Sequence, residues 1–312
     1  MLKEICITPE VFNTNHINNV NWKDIKSLLE NIKISGYIVG LNNNEWKKEI
    51  RENIAKLEPK IQDRFNVLIT CLNNRNRIVG HPKGTITPSN EDDWLEIAKE
   101  LNDIQSFYYI ITEKPFSSNS KNIEDLEDLD LPEIFGLTGS KHFIKNEQEL
   151  AKIFQPLLSY AKKVTIIDPY FDISVKRYKE TLQYICKSFK NRRGLKEKGS
   201  ITINCSTKIV NTSNFKNWQR EINEIFKQFG HLITINVWEK KEESLKLHDR
   251  YIITDQSGIV SAAGTDKDEY QQSEWSIKDY SSLNSILEQY KENSSPFDLK
   301  YIVTMQEVKK NV

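Results

Sequence analysis

Two short segments of the sequence place chemically capable side chains at the end of an apolar run. Asp168 and Tyr170 follow the apolar residues 164–167, and residues 247–255 read LHDRYIITD. Each apolar run predicts a buried strand. Polar side chains at strand ends form the ligand site of open α/β sheets, because the loops there gather at one crevice. We therefore expect both segments to contribute to a ligand site.

The two-residue period of a strand sorts the side chains of the second segment. His248, Arg250 and Ile252 are predicted on one face, with Asp249 and Tyr251 on the other. An imidazole can attack phosphorus or carry a proton, and a guanidinium is a permanent charge that matches phosphate oxygens. The pair therefore predicts a phosphate site. A strand in which this pair only meets carboxylates at the sheet edge is the alternative.

The spacing of the second segment resembles a known signature. His248-x-Arg250, then four residues and Asp255, is similar to the HxK(x)4D motif of the phospholipase D superfamily, with arginine in place of lysine. The IIDPYF segment at 166–171 resembles the first strand of that fold, and the order of elements between the two segments agrees. The resemblance covers residues 146–312 and is closest to single-motif bacterial nucleases and nuclease-like effectors.

The resemblance implies a role for each matching residue. His248 would attack phosphorus and form a phosphohistidine, Arg250 would hold the non-bridging oxygens, and Asp255 would support the site. Ser261 and Glu274 are further candidates for substrate binding, as are Asp168 and Tyr170 at the first strand end. No metal or other cofactor is expected, because the cationic pair replaces it.

Two departures from the family pattern weigh against catalysis. Arginine keeps the charge of lysine but changes geometry and bulk. The Gly-Ser-x-Asn segment expected after the aspartate reads SAAGTD at residues 261–266, so the asparagine is missing. Both departures favour an alternative, a catalytically silent module that binds nucleic acid or another phosphate-bearing ligand.

The number of histidines leads to an expectation about assembly. Phosphohistidine chemistry needs one histidine as nucleophile and another as general acid. The other histidines, His16, His81, His142 and His231, lack the motif spacing. A second His248 must then come from another copy of the chain, which predicts a two-fold homodimer across one cleft.

Length and composition limit the class of protein. The 312 residues suffice for two domains, and 13 Phe, 12 Tyr and 6 Trp predict a folded chain. The 44 basic and 44 acidic residues exclude a basic shell over the whole molecule but allow a local basic groove. No apolar run reaches the roughly 20 residues that span a bilayer. The four separated cysteines favour a reduced compartment. We expect a cytoplasmic protein without a membrane partner.

Strand and helix patterns alternate along the chain, which predicts an α/β fold. We expect an N-terminal α/β domain of unassigned role over residues 1–113. Residues 114–145 are predicted to be an acidic and polar linker, or an arm that packs on a partner. Residues 146–312 are predicted to form the phospholipase D-like domain, with a mixed sheet flanked by helices.

A cationic run at residues 187–198 includes Arg192 and Arg193, which are predicted to contact a nucleic-acid backbone beside the cleft. The alternative is that these cations only interact with the dipole at the C-terminus of the preceding helix, on a solvated loop. A second basic loop at 74–84 is interpreted as a loop that senses a nucleotide or contacts nucleic acid, or else as plain surface. The sequence thus favours a dimeric, metal-independent nuclease. The resemblance implies a role in bacterial antiphage defence or restriction, with a regulatory or defence-system partner protein.

Overall fold

The segments rich in Ile, Val and Thr form strands, and these strands belong to two separate sheets. The computed structural model describes residues 2–14, 17, 21–42, 44–80, 88–104, 106–135, 140–190, 199–242, 250–278, 280–292 and 295–311. The chain divides into two units, residues 1–138 and 139–312. Each unit has its own sheet with helices between strands, so the expected α/β fold is confirmed.

The first unit contains a five-stranded sheet in the order β3-β2-β1-β4-β5, with every neighbouring pair parallel. Its strands are β1 (Lys3–Ile7), β2 (Gly36–Gly40), β3 (Ile78–Gly80), β4 (Tyr109–Ile111) and β5 (Ser120–Lys121). Its helices are α1 (Asn21–Ser35), α2 (Asn44–Ile54), α3 (Pro59–Asn74), α4 (Glu91–Ile104) and α5 (Leu131–Phe135). All five residues of β2 are buried, as expected for a parallel strand covered on both faces.

The segment expected to be a linker, residues 114–145, is folded in its described parts, residues 114–135 and 140–145. β5 extends the first sheet, and the hydroxyl of Ser35 in α1 donates to the carbonyl of Phe135 in α5 at 2.6 Å. Apolar residues interspersed among the acidic ones anchor the segment, and those buried are Ile123, Leu126, Leu131 and Phe135. The predicted domain limits were therefore wrong, because charge density concealed these anchors. The first unit continues to residue 138, and the second begins at 139 rather than 146.

The second unit contains a nine-stranded mixed sheet in the order β14-β13-β9-β8-β7-β10-β11-β12-β6. The strands are β6 (Ser140–Lys145), β7 (Lys163–Ile167), β8 (Ser200–Ser206), β9 (Leu232–Lys240), β10 (Arg250–Thr254), β11 (Gly258–Ser261), β12 (Asp268–Lys278), β13 (Phe297–Val303) and β14 (Val308–Lys310). The central strands β7, β8 and β9 are parallel, and the remaining pairs are antiparallel. The helices are α6 (Glu147–Leu158), α7 (Lys176–Lys190), α8 (Phe215–Phe229) and α9 (Tyr280–Glu288).

Helix α9 covers one face of the sheet around β10. Tyr251 and Ile253 pack with Ile167 of β7 and Leu283 of α9. Arg250 and Ile252 alternate with these residues and so point to the opposite face. The predicted two-residue alternation is confirmed for the described part of this strand. It leaves Arg250 at the first position of β10, where the strand begins.

On the face that Arg250 shares, an aromatic cluster anchors helix α6 and the edge strand β6. The ring of Trp275 lies 5.1 Å from Phe143 of β6 and 5.9 Å from Phe154 of α6, measured between centroids. No helix in the described ranges has both the length and the apolar character needed to cross a bilayer.

Candidate functional site

The candidate site lies where β10 begins and β7 ends. The two strands are antiparallel, and Tyr251 pairs with Ile167. The register therefore sets Arg250, just before Tyr251, beside Asp168, just after Ile167. Arg250 Nε lies 3.8 Å from Asp168 Oδ1. The expectation that the two strand ends meet at one site is fulfilled for these residues.

Asp168 is completely buried and accepts hydrogen bonds on both oxygens. Its Oδ2 accepts from the backbone N–H of Thr265 at 3.0 Å and from the Thr265 hydroxyl at 2.7 Å, and its Oδ1 accepts from the N–H of Tyr170 at 3.0 Å. A carboxylate with no exposed surface cannot touch a substrate. The prediction that Asp168 binds phosphate directly is therefore wrong, and Asp168 instead positions Arg250.

The guanidinium of Arg250 is held from three sides. Nη1 donates to the carbonyl of Ala262 at 3.1 Å, and the ring centroid of Tyr170 lies 5.2 Å from Cζ. The Arg250 side chain is 22% exposed, and Tyr170 is 43% exposed. Because a guanidinium has five N–H donors in a planar fork, donors remain for an anion that approaches from solvent. The structure thus brings Tyr170 to Arg250, as the prediction requires.

Ser261 lies on the same sheet face as Arg250, with which it pairs across β10 and β11. Its hydroxyl is buried and donates to the carbonyl of Gly264 at 2.7 Å. Gly264 has φ +91°, and a Cβ built there would lie 2.4 Å from Asp266 Oδ1. The same loop, residues 261–266, carries Thr265, whose N–H and hydroxyl donate to Asp168. Ser261 stabilises this loop, and its contact with substrate stays a prediction.

A second buried ion network, missed from the sequence, adjoins this loop. Asp266 Oδ1 lies 3.2 Å from Lys145 Nζ, and Oδ2 lies 3.3 Å from Arg177 Nε. Lys145 is completely buried and also donates to the carbonyl of Ala263 at 3.1 Å. A lysine among apolar residues of an alternating strand was the available signal, but the segment was interpreted as a linker. This network fixes the far end of the loop that carries Thr265.

The negative charge around the loop also affects Tyr178 in α7. Burial raises the pKa of the Tyr178 phenol, and the nearby carboxylates of Asp168 and Asp266 raise it further. The charges of Arg177 and Arg250 act in the opposite direction. Tyr178 is therefore a neutral phenol at physiological pH and not a nucleophile.

Asp255 and Glu274 are not brought to Arg250. Asp255 Oδ1 accepts from the N–H groups of Lys162 and Lys163 at 2.8 and 3.3 Å, at the opposite end of β10. It anchors the start of β7, which is compatible with a supporting role but not with contact. Trp275 pairs with Ser261 and shares the face of Arg250, so Glu274 lies on the other face. The prediction of Glu274 as a substrate ligand is therefore wrong for this face of the sheet.

Several predicted site residues lie outside the described residues. These are His248, Arg192 and Arg193, and their roles stay predictions. Two of the remaining histidines are described. His231 is buried, with Nε2 3.2 Å from the carbonyl of Cys186, and His142 lies beside Glu274 on the face opposite Arg250, at 3.9 Å. Neither is placed to donate a proton to a leaving group at Arg250 of the same chain.

The basic loop predicted at 74–84 is only partly described. Arg77 is 2% exposed, and its Nη2 donates to the carbonyl of Ile34 at 3.0 Å. Its guanidinium lies 5.3 Å from the ring centroid of Tyr37. Arg77 is therefore a buried residue that braces the end of α1. For this residue, contact with a nucleotide or nucleic acid and the plain-surface alternative are both wrong. His81 lies outside the described residues.

An open cleft of about 500 Å³ lies between the start of α7 and residues 267–270. Arg177, which binds Asp266, lines it together with Lys267 and Tyr270. Tyr270 is 94% exposed, whereas Lys267 is balanced by Glu180 and Glu269 at 3.4 and 3.0 Å. The cleft therefore combines charged side chains with the exposed ring of Tyr270. These residues were not predicted from the sequence.

Within the described ranges, no group of three or more His, Cys, Asp or Glu side chains is arranged to hold a metal ion.

Comparison with known proteins gives little further constraint. No family model matches the chain, and no curated protein matches it. Among solved structures, the chain is similar to TrmBL2, an archaeal chromatin protein whose structure shows a novel mode of DNA binding. The identity is 12%, the match covers 92% of this chain and 98% of that chain, and the TM-score is 0.27. A similarity at this TM-score carries no inference about fold or function.

Proposed function

We propose that the chain is a metal-independent phosphodiesterase that cleaves nucleic acid through a phosphohistidine at His248. The observation that carries the proposal is the seating of Arg250. Its guanidinium is held by Asp168, by the carbonyl of Ala262 and by the ring of Tyr170, and it keeps an exposed edge. A fixed cation of this kind, two residues after a histidine, suits the charge that develops on a phosphoryl group.

In the proposed reaction, an imidazole nitrogen of His248 attacks phosphorus. The P–N bond forms as the bond to the leaving oxygen breaks, and that oxygen takes a proton from a second imidazole. Arg250 stabilises the non-bridging oxygens in both steps. Water, deprotonated by the second imidazole, then attacks phosphorus and breaks the P–N bond. The second imidazole belongs to His248 of another copy of the chain, so the active form is a homodimer.

Nucleic acid is the proposed substrate because exposed aromatic rings accompany the cations. Tyr170 lies against Arg250, and Tyr270 borders the cleft that Arg177 lines. Aromatic side chains next to cationic groups bind the bases and backbone of single strands without sequence preference. Arg192 and Arg193 would extend the cationic surface. The resemblance to bacterial effectors supports a role in antiphage defence or restriction, in the cytoplasm and with a defence-system protein as partner.

A silent binding module is the second candidate. It is favoured because some predicted site residues already bond to other parts of the protein, and because one motif position carries a different residue. The Ser261 hydroxyl is bonded to the carbonyl of Gly264, and Arg250 stands where the family signature has lysine. In this version the same guanidinium binds a phosphate of nucleic acid without turnover.

The deciding experiment compares wild type, His248→Ala and the control His142→Ala. Each is incubated with labelled single- and double-stranded DNA and RNA in excess EDTA, and mass in solution is measured in parallel. His142 is exposed and lies on the other face of the sheet. Cleavage by a wild-type dimer that is lost only in His248→Ala supports the enzyme. Binding that needs Arg250, without cleavage, supports the module. Inertness toward all four substrates contradicts both candidates.

A further inference from the structure

A second cavity lies in the first unit, between α2, α3 and the edge strand β3. Its volume is about 260 Å³. Its floor is apolar and consists of Trp46, Ile50, Ile54, Ile69 and Ile78. Four of these side chains are buried, and Trp46 is fixed because its Nε1–H donates to the carbonyl of Ile7 at 2.6 Å. The cavity therefore has a rigid apolar base.

The titratable side chains that line this cavity are all cationic. They are Lys47 and Arg51, four residues apart on α2. Like charges at this spacing repel one another and destabilise a helix. Lys47 also lies in the first turn, where the helix dipole disfavours a positive charge. The pair is thus placed against the electrostatic preference of its own helix.

The carboxylates of α2, which are Glu45, Glu49 and Glu52, do not lie at the spacing that pairs with Lys47 or Arg51 on a helix. Positions three and four residues away from Lys47 and from Arg51 on α2 carry no acidic side chain. In the part of the chain that the structure describes, neither cation forms an ion pair, whereas their neighbour Lys48 lies 4.0 Å from Glu52. Lys47 Nζ only donates to the amide oxygen of Asn73 at 3.2 Å. Among the described residues, no carboxylate lies within ion-pair distance of either charge on this cavity.

The surroundings of Lys47 disfavour the charged form of its side chain. Partial burial lowers the pKa of its ammonium, and the positive charge of Arg51 lowers it further. An anion in the cavity would relieve both the burial cost and the repulsion, since it would stabilise the charged form. Lys48, by contrast, is exposed, pairs with Glu52 and does not line the cavity.

We propose that this cavity binds a small organic anion. The apolar body of the ligand packs on Trp46 and the isoleucines, and its carboxylate or phosphate group binds Lys47 and Arg51. The volume lies below the roughly 300–1,000 Å³ of pockets for drug-sized ligands, which restricts the occupant to a small molecule. This site is separate from the proposed nuclease chemistry, and either can fail without the other.

The test uses calorimetric titration of the full chain with three probes. 2-Naphthoate has both an apolar body and a charge, 2-naphthamide has the body alone, and inorganic phosphate has the charge alone. Wild type is expected to bind 2-naphthoate about tenfold more tightly than 2-naphthamide, the effect of one favourable charged contact. Inorganic phosphate is expected to bind more weakly than 2-naphthoate.

Two variants and one matched control locate the effect. Lys47→Met and Arg51→Met are each expected to abolish the preference for the acid over the amide, while Lys48→Met keeps it. The comparison of acid and amide on wild type requires no variant to fold. The proposal is overturned if 2-naphthoate does not bind, if acid and amide bind equally, or if the preference survives in both variants.

Discussion

Asp168 and Arg250 face each other across the β7–β10 pair, with Oδ1 and Nε 3.8 Å apart and the carboxylate fully buried. The carboxylate accepts hydrogen bonds from the N–H and hydroxyl of Thr265 and from the N–H of Tyr170. The position of the Arg250 guanidinium is thus set by its place at the start of β10 and by Asp168 in the turn after β7. If the site is catalytic, its geometry depends on residues that never contact the substrate.

Asp168→Asn is expected to lower both stability and activity. The carboxylate accepts on both oxygens, whereas the amide has only one acceptor oxygen, so its NH2 group must face either Thr265 or the N–H of Tyr170 and at least one buried hydrogen bond is lost. We expect a loss of about 1–3 kcal/mol in the free energy of unfolding, measured by urea denaturation. Asp298→Asn, at an exposed carboxylate, is the control and should change it by less than about 0.5 kcal/mol. Equal effects of the two substitutions would argue against the role given to Asp168.

Arg250→Met should lower turnover, and it should also lower stability, because it leaves the buried carboxylate of Asp168 without its cation. Turnover is therefore compared at a temperature at which circular dichroism shows both proteins folded. The expected fall in kcat is about 10²–10³-fold, the usual effect of removing one group that stabilises transition-state charge. Arg250→Lys keeps the positive charge and introduces the lysine of the signature that the segment resembles, so it should retain most of the activity. Steady-state kinetics on the cleaved nucleic acid measures both. An unchanged kcat in Arg250→Met would exclude Arg250 from the chemistry.

Lys145→Met tests the buried network around Asp266. Removing one partner of a buried ion pair leaves an uncompensated charge and costs about 3–5 kcal/mol. The control is Lys141→Met on the same strand, at a partly exposed ion pair with Glu149, which should cost less than about 1 kcal/mol. Both values come from chemical denaturation. A small effect of Lys145→Met would mean that Arg177 alone neutralises Asp266.

Gly264→Ala separates steric from backbone effects when it is compared with Gly230→Ala. Both glycines have positive φ, +91° and +80°, so each alanine incurs a backbone penalty of about 1–2 kcal/mol. A Cβ at Gly264 would also lie 2.4 Å from Asp266 Oδ1, whereas nothing lies within 4 Å at Gly230. Gly264→Ala should therefore be the more destabilising in thermal unfolding. Equal shifts of Tm would show that the loop relaxes freely.

Glu10 should make the stability of the first unit depend on pH. Burial raises the pKa of its carboxyl to about 7, against opposing hydrogen bonds from Thr8 and Thr112. The folded-state pKa exceeds the ordinary value of about 4.5, so the folded state binds more protons between these values. Stability due to this group is present below about pH 4.5 and is lost as pH rises through about 7.

The measurement for Glu10 is urea denaturation of wild type and Glu10→Gln at pH 5 and pH 8. The advantage of Glu10→Gln over wild type should be larger at pH 8, by about 2.5 kcal/mol, because part of the effect is already present at pH 5. Other titrating groups cancel in this comparison. An advantage that does not change with pH would contradict the assignment.

The sequence predicted the local features of the site and missed those that depend on register. Alternation along β10 and the meeting of two strand ends follow from the two-residue period and from polar side chains after apolar runs. The face of Glu274 depends on the pairing of β12 with β11, and β12 is irregular between Asp268 and Gln272. No local pattern determines that pairing. The partner of Lys145 is likewise set by long-range sheet order.

The sheet order has a consequence for how the chain acquires its structure during synthesis. β6 is the first strand of the second unit to leave the ribosome, yet it pairs with β12, close to the end of the chain. Until residues 266–278 emerge, Lys145 lacks Asp266, and the edge of β6 has no neighbour. Such distant pairing slows folding and prolongs the exposure of unpaired strands. Chaperone demand for this protein should therefore last until residues 266–278 have been synthesised, and the Arg250 site, which needs Thr265 and Asp266 in place, forms late in the second unit.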